Sequence, residues 1–107
     1  MLSREVIAAE IERVRRRYLS LLESAHEAPC TWELHGDVIC WYVVLRDALE
    51  PDIDLELLED VIIVRAAEDD EAMRQCVLPI PPSHCPDARS FRLRAGTLEV
   101  RLTLRSG

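Results

Sequence analysis

The chain has no lysine: all thirteen of its basic residues are arginine, set against twenty Asp and Glu, for a net charge of -7. Phosphate binding needs cations spread over a surface, so this balance argues against a general nucleic-acid binder. The arginines sit in mixed settings with no shared chemical task, and their exclusive use reads as a compositional bias rather than a function. Only three glycines are present, too few for a phosphate-cradling loop. No apolar run reaches the length of a membrane span or forms the core of a leading signal, so the expected location is the cytoplasm, with no membrane partner. The four cysteines, Cys30, Cys40, Cys76 and Cys85, lack the paired C-x-x-C spacing of zinc sites and redox motifs, and in a chain without a secretion signal they are expected to be reduced thiols.

What is present is alternation. From Ser90 to Leu104 apolar and polar residues alternate on both sides of Gly96. Phe91 and Leu93, then Leu98, Val100, Leu102 and Leu104, share one face, while Arg92, Arg94, Glu99, Arg101 and Thr103 share the other. This is a β-hairpin, with Gly96 at a turn position that demands positive φ. Its apolar face requires a second layer.

At the other end Ile7, Ile11, Val14, Tyr18, Leu21 and Ala25 recur at steps of four and three, which predicts an amphipathic helix from about Ser3 to Ala25. Ser3 is the expected N-cap, and Glu12 and Arg16 lie one turn apart as a surface pair. Three heptads are too short to dimerise firmly alone, so the stripe must lie on the β region or meet a second copy of itself; the expectation is self-association through Ile7, Ile11, Val14, Tyr18 and Leu21. Acidic residues flank the basic run Arg13, Arg15, Arg16, Arg17, which therefore reads as a solvated face and not as a nucleic-acid contact.

His26–Pro29 breaks the helix, and the pattern is strand-like from Cys30 onward. Expected strands are Thr31–Leu34, Val38–Leu45, Ile53–Leu57, Val61–Ala66, Arg74–Ile80 and the two arms of the hairpin, with Val38–Leu45 buried on both faces at the centre. Pro86 is assigned to the loop before the hairpin. Seven short strands between turn signals predict a mainly β fold, an immunoglobulin-like antiparallel β-sandwich. The expected division is a helix over residues 1–28 and a sandwich over 29–107.

Three segments of the β region resemble the α-crystallin domain of the small heat-shock proteins, over roughly Pro29 to Leu104. Arg94-Ala95-Gly96-Thr97-Leu98-Glu99-Val100 is similar to that family's last-strand motif. Arg74-Gln75-Cys76-Val77-Leu78-Pro79 resembles its R-x-F-x-L-P strand, with Cys76 in place of the aromatic. Leu49–Leu57 looks like its acidic, proline-containing loop opening an alternating strand. Arg46-Asp47 stands where a Pro-Gly is usual, and Phe91 where an alanine is. Ala67–Met73 is too short for the loop by which bacterial members exchange a strand with a neighbour, and no I-x-I/V motif follows the last strand.

The resemblance implies a non-enzymatic, ATP-independent holdase without cofactors, binding exposed apolar segments of unfolding client proteins. It places a peptide groove between Ile53, Leu55, Leu57, Phe91 and Leu93, and matches Arg74 to an arginine used at the family's dimer interface. The other reading of the same five residues is plain core. The short loop and missing motif also suit a dedicated adaptor of the CS type with one specific partner. A thiol or metal site built on His84-Cys85, with Cys30, His35 and His26, lacks ligand spacing, and neighbouring loop residues rarely point at one another. Trp32, Trp41 and Tyr42 are expected to pack in the core and at the sheet rim, not to stack bases.

Overall fold

The computed structural model describes residues 3–18, 26–45, 53–58, 60–67, 73–81 and 84–106, with side chains for all of these but 26, 73, 84–88, 105 and 106. Among these described residues one helix and eight strands follow in order: α1 (Arg4–Arg17), β1 (His26–Glu27), β2 (Cys30–His35), β3 (Val38–Val44), β4 (Ile53–Leu57), β5 (Val61–Ala67), β6 (Met73–Pro79), β7 (His84–Arg94) and β8 (Thr97–Ser106). They form two four-stranded sheets, β1-β6-β5-β4 and β2-β3-β8-β7. Only β1 with β6 pairs in parallel; all other neighbours are antiparallel. The fold is the mainly β, two-layer antiparallel sandwich that the alternation predicts.

The hairpin is the clearest case of sequence setting structure. Arg94 pairs with Thr97, leaving Ala95-Gly96 as a two-residue loop, and both loop residues have positive φ, 49° and 77°. This is the I′ form of two-residue loop, which follows the right-handed twist of its strands with both central residues left-handed. Gly96 adopts this freely, whereas Ala95 does so against the clash of its Cβ.

The inner faces interlock. Ile39, Trp41 and Val43 of β3 and Leu98, Val100 and Leu102 of β8 meet Ile62, Val64 and Ala66 of β5 and Cys76 and Leu78 of β6, all buried in one cluster. The strands buried on both faces are β5, where Val61, Ile62, Ile63 and Val64 are each at most 1% exposed, and its neighbour β6, where Gln75, Cys76, Val77 and Leu78 are at most 7% exposed. The expectation that Val38–Leu45 holds that position is corrected: Ile39, Cys40 and Trp41 are covered, but Tyr42 is half-buried and Val44 is 39% exposed. The reason is α1, which covers the outer face of the β5 sheet, so that Val14 and Tyr18 close a second cluster with Val61, Ile63 and Val77.

That placement also corrects the expectation of a helix kept for self-association. Ile7 and Ile11 enter the main core between the sheets, and Ile7 and Val14 are fully buried. Each such side chain withdrawn from water contributes about 2 kcal/mol, and that apolar surface is used within one chain. Leu21, the last of the predicted stripe, lies outside the described residues. The Tyr18 hydroxyl donates to Asp60 Oδ1 at 2.6 Å and the Arg17 guanidinium stands 3.4 Å from Oδ2, pinning the helix end to the turn before β5. Ser3 occupies the N-cap position but makes no side-chain cap; its carbonyl accepts from the Ile7 amide at 3.0 Å.

Two further differences concern β1 and β7. The described helix ends at Arg17 with Tyr18 as its C-cap, short of the expected Ala25; the rest of the expected helix lies outside the described residues, and the backbone of His26-Glu27 pairs with Arg74 and Gln75 of β6. Strand β7 begins at His84 and takes in Pro86, expected to lie in a loop. Proline cannot donate to a ladder, and it is tolerated here because β7 is an edge strand whose register shifts between Pro86 and Ala88.

Two outcomes are expected. Ala95→Gly raises the stability measured by urea unfolding, by up to about 1 kcal/mol, because it removes the left-handed alanine. Ile7→Ala lowers it by about 3 kcal/mol through the cavity it opens, with no change in the mass read by light scattering below the transition.

Candidate peptide-binding groove

A sandwich built of two open sheets has two margins, and in this chain they are treated differently. Cys30 of β2 packs against the core cluster that holds Cys76 of β6, and the two thiols influence one another. Outer strand β2 therefore stands on the β6 side of the sandwich, and α1 lies along that same side, with Ala8, Ile11 and Arg15 facing Cys30, Trp32 and Val77 across a shallow cleft. By the strand orders, the other outer strands, β4 and β7, flank the opposite margin. Among the described residues β4 pairs only with β5 and β7 only with β8, so each presents a row of backbone groups without a ladder partner.

Register decides which side chains line that margin. Residues directly opposite in an antiparallel pair share a face. Ile53, Leu55 and Leu57 stand opposite Ala66, Val64 and Ile62; Phe91 and Leu93 stand opposite Val100 and Leu98. All five partners are buried, so the five predicted groove residues lie on inner faces. Ile53, Leu55 and Leu93 are half-buried and pack on the main core. Leu57 and Phe91 are 48% and 39% exposed. The two readings of these residues thus divide by position: three support the core, and two reach past it into solvent.

One further residue shares this face. Arg89 stands opposite Leu102 in the same register as Phe91 and Leu93 and is exposed. It sets a cation at one end of an otherwise apolar wall. The alternation that marks Phe91 and Leu93 extends back to position 89, but the proline before it sets a loop boundary in the sequence reading. On the opposite face of β4, Asp54 and Glu56 flank Arg65, at 3.8 and 2.9 Å.

Arg74 is half-buried in β6, in register with Ala66 on one side and His26 on the other. Strand β1 of the same chain therefore covers the β6 edge at Arg74. The helical basic run does not form an open cationic patch: Arg15 pairs with Glu27, Arg16 with Glu12 at 3.8 Å and Arg17 with Asp60. Trp32 and Trp41 lie 6.3 Å apart, Trp41 in the core, with the Arg4 guanidinium 4.6 Å above the Trp32 ring. His35 lies 2.9 Å from Glu33. Among the described residues no group of three or more His, Cys, Asp or Glu is placed to hold a metal, and no helix is long and apolar enough to cross a membrane. His84 and Cys85 are consecutive residues of β7; their side chains, and that of His26, lie outside the described ones.

Solved structures with this arrangement of sheets are similar over most of their length. Heat shock protein 16.0 from Schizosaccharomyces pombe is 11% identical with a TM-score of 0.66, the match covering 88% of this chain and 85% of that one. HSP18.5 from E. histolytica is 16% identical with a TM-score of 0.62, covering 73% and 88%. The fold is that of the small heat-shock proteins. A small heat-shock protein from Xylella fastidiosa, described as having a distinct high order structure, adds 12% identity and a TM-score of 0.63 over 75% and 87%. No protein-family model and no curated protein sequence matches the chain. Strands β5 and β6 pair antiparallel within the chain, with Ala67 opposite Met73.

The exposed and half-buried members of the groove should separate in mutagenesis. Leu57→Ser and Phe91→Ser each change unfolding free energy by about 1 kcal/mol or less, while Leu102→Ala, at a fully buried position, costs about 3 kcal/mol. Urea titration of the three variants reads the difference.

Proposed function

We propose that this chain is an ATP-independent chaperone of the small heat-shock type, a holdase that takes up exposed apolar segments of unfolding proteins at the β4–β7 margin. The observation that carries this reading is the coincidence, at one margin, of two strand edges without a partner among the described residues with the solvent-exposed side chains Leu57 and Phe91. An extended client segment can add to either edge through main-chain hydrogen bonds, with alternate side chains dropping between the apolar walls. Such binding is tolerant of sequence, because the backbone supplies most of its contacts, and it needs neither nucleotide nor cofactor. Ile53, Leu55 and Leu93 form the floor in this reading, and Leu57 and Phe91 the rims.

The likeness to small heat-shock proteins supports a chaperone fold and, in general terms, client binding and assembly, in a protein acting without catalysis in the cytoplasm. With the helix stripe committed to its own sandwich and β1 laid beside Arg74, assembly would run through other surfaces, among which the open β4 and β7 edges are the most exposed. The short Ala67–Met73 connection favours a second reading, a dedicated adaptor with one partner, because it is too short for the strand exchange on which bacterial small heat-shock dimers rest.

The test is suppression of heat-induced aggregation of a model client at equimolar ratio without nucleotide. The native chain should hold the client in solution, and the double variant Leu57→Glu, Phe91→Glu, which stays folded, should lose at least half of that protection. No protection by the native chain at any ratio would overturn the holdase reading. Co-purification of one stoichiometric partner in place of a broad, heat-dependent set would favour the adaptor.

A further inference from the structure

The margin closed by α1 holds chemistry that the groove does not use. Cys30 and Cys76 are 46 positions apart in sequence and lie in different sheets, yet Cys30 packs against the core cluster that contains Cys76, just beyond the point where the Ala28 amide bonds the Gln75 carbonyl at 3.0 Å. Cys76 is 1% exposed, within the main core, and Cys30 is half-buried in front of it. Cys30 also lines two surface depressions: the cleft of about 410 Å³ beneath α1, shared with Arg15, Trp32 and Trp41, and a smaller one shared with Arg15, Glu27 and Pro29. Neither thiol is engaged in a disulfide.

We propose that Cys30 and Cys76 are a peroxide-sensitive dithiol, Cys30 the attacking thiol and Cys76 the resolving one, whose oxidation links the two sheets covalently beneath α1. The arrangement has an attacking sulfur open to solvent, a cation beside it and a second thiol behind it. Arg15, held by its ion pair with Glu27, faces Cys30 across the cleft and favours its thiolate. The neighbouring Cys76 thiol is the largest influence and acts in the same direction; burial and the Glu27 carboxylate oppose both, and the net effect lowers the Cys30 pKa. The neighbouring Cys30 thiol, with burial, pushes Cys76 up, so Cys76 keeps its proton. A low-pKa, accessible thiolate with an adjacent resolving cysteine is the combination that reacts selectively with oxidants.

The chemistry balances with a hydroperoxide as oxidant. The Cys30 thiolate attacks the terminal peroxide oxygen, the O–O bond breaks, and the leaving oxygen takes up a proton to depart as an alcohol or water; Cys30 is now a sulfenic acid. The Cys76 sulfur then attacks the Cys30 sulfur, the S–O bond breaks, and the hydroxide leaves with the Cys76 proton as water. One peroxide is reduced and two thiols become one disulfide. A low-molecular-weight dithiol reverses the step by exchange.

The experiment treats the folded chain with a small excess of hydrogen peroxide, caps the remaining thiols and maps the peptides by mass spectrometry. The expected product is one internal cross-link between the Cys30 and Cys76 peptides, with the loss of two hydrogens and a raised unfolding temperature, both reversed by dithiothreitol. Cys76→Ala should leave Cys30 trapped as a sulfenic acid that a dimedone probe labels, and Cys30→Ser should give neither product. Because Cys76 is buried and its variants could unfold, the native chain supplies the deciding result. A cross-link through Cys40 or Cys85 instead, or a Cys30 peptide no more oxidised than theirs, overturns the proposal. These readouts concern the protein alone and are independent of any client, so failure here and failure of the holdase reading are told apart.

Discussion

The interaction on which the structure depends is the burial of two apolar sheet faces against one another, and its geometry leaves two margins where neither sheet can cover the other. A flat pair of four-stranded sheets exposes inner-face side chains along both outer strands, and each margin must be closed or left open to water. The chain closes one with α1, whose Ile7 and Ile11 enter between the layers. Among the described residues no second helix covers the other, and Leu57 and Phe91 stand partly in solvent. The asymmetry between the margins is the structural basis of the proposed function. An apolar channel flanked by unpaired backbone offers an extended peptide both parts of what it needs, ladder hydrogen bonds and a place for its side chains.

How the helix comes to its position follows from β1 and from the crossing at Ala28-Pro29 that leads to β2. The β1 strand pairs with β6 over two residues only, at Arg74 and Gln75, and leaves the remainder of that β6 edge to be covered by something else. The Ala28 amide continues the pairing to the Gln75 carbonyl at 3.0 Å before the chain crosses to the other sheet. The helix fills the uncovered length and wraps onto the outer face of β5, which explains why β5, and not the more apolar-looking β3, is dry on both sides. At its C-terminal end Arg17 and Tyr18 reach Asp60, which in turn accepts the Ile80 amide through its carbonyl at 2.8 Å. One turn residue thus ties α1 to β5 and to the end of β6.

The fold class was legible because its signal is local: period-two alternation in the hairpin, a glycine where positive φ is required, and a change from helical to strand periodicity at Pro29. The destination of α1 was not, because a three-heptad stripe looks the same whether its partner is a sheet or another helix; only the shape of the uncovered margin decides. The short β1 and the early start of β7 were hidden for a related reason. Two residues carry no periodicity, and Pro86 marks a loop unless the strand is an edge with a bulge to absorb it. In the groove, Ile53, Leu55, Leu57, Phe91 and Leu93 were named from resemblance, and register puts them on the inner faces. Sequence alone could not divide them into floor and rim, since that depends on how far each sheet extends beyond the other. Arg89 was missed behind the same proline. The packing of Cys30 against the cluster that holds Cys76 has no sequence signature, being set by the crossing of β2 from one layer to the other.

An open strand edge is also a hazard, because it can pair with another copy of itself as readily as with a client. The chain manages this with charge on the faces turned away from the channel. On β4 Asp54 and Glu56 hold Arg65 between them, and on β7 Arg92 and Arg94 are exposed opposite Glu99 and Thr97. The two edges therefore differ in sign, acidic along β4 and basic along β7. Like edges, β4 with β4 or β7 with β7, repel, while each attracts the other. A client segment in extended form is judged by a different rule, since only its apolar side chains enter the channel and its charges stay outside in water. Charge on the outer faces thus limits uncontrolled pairing of like edges without closing the apolar path between them, and the one pairing it encourages, β4 of one copy with β7 of another, is a head-to-tail contact that would occupy the same channel a client needs.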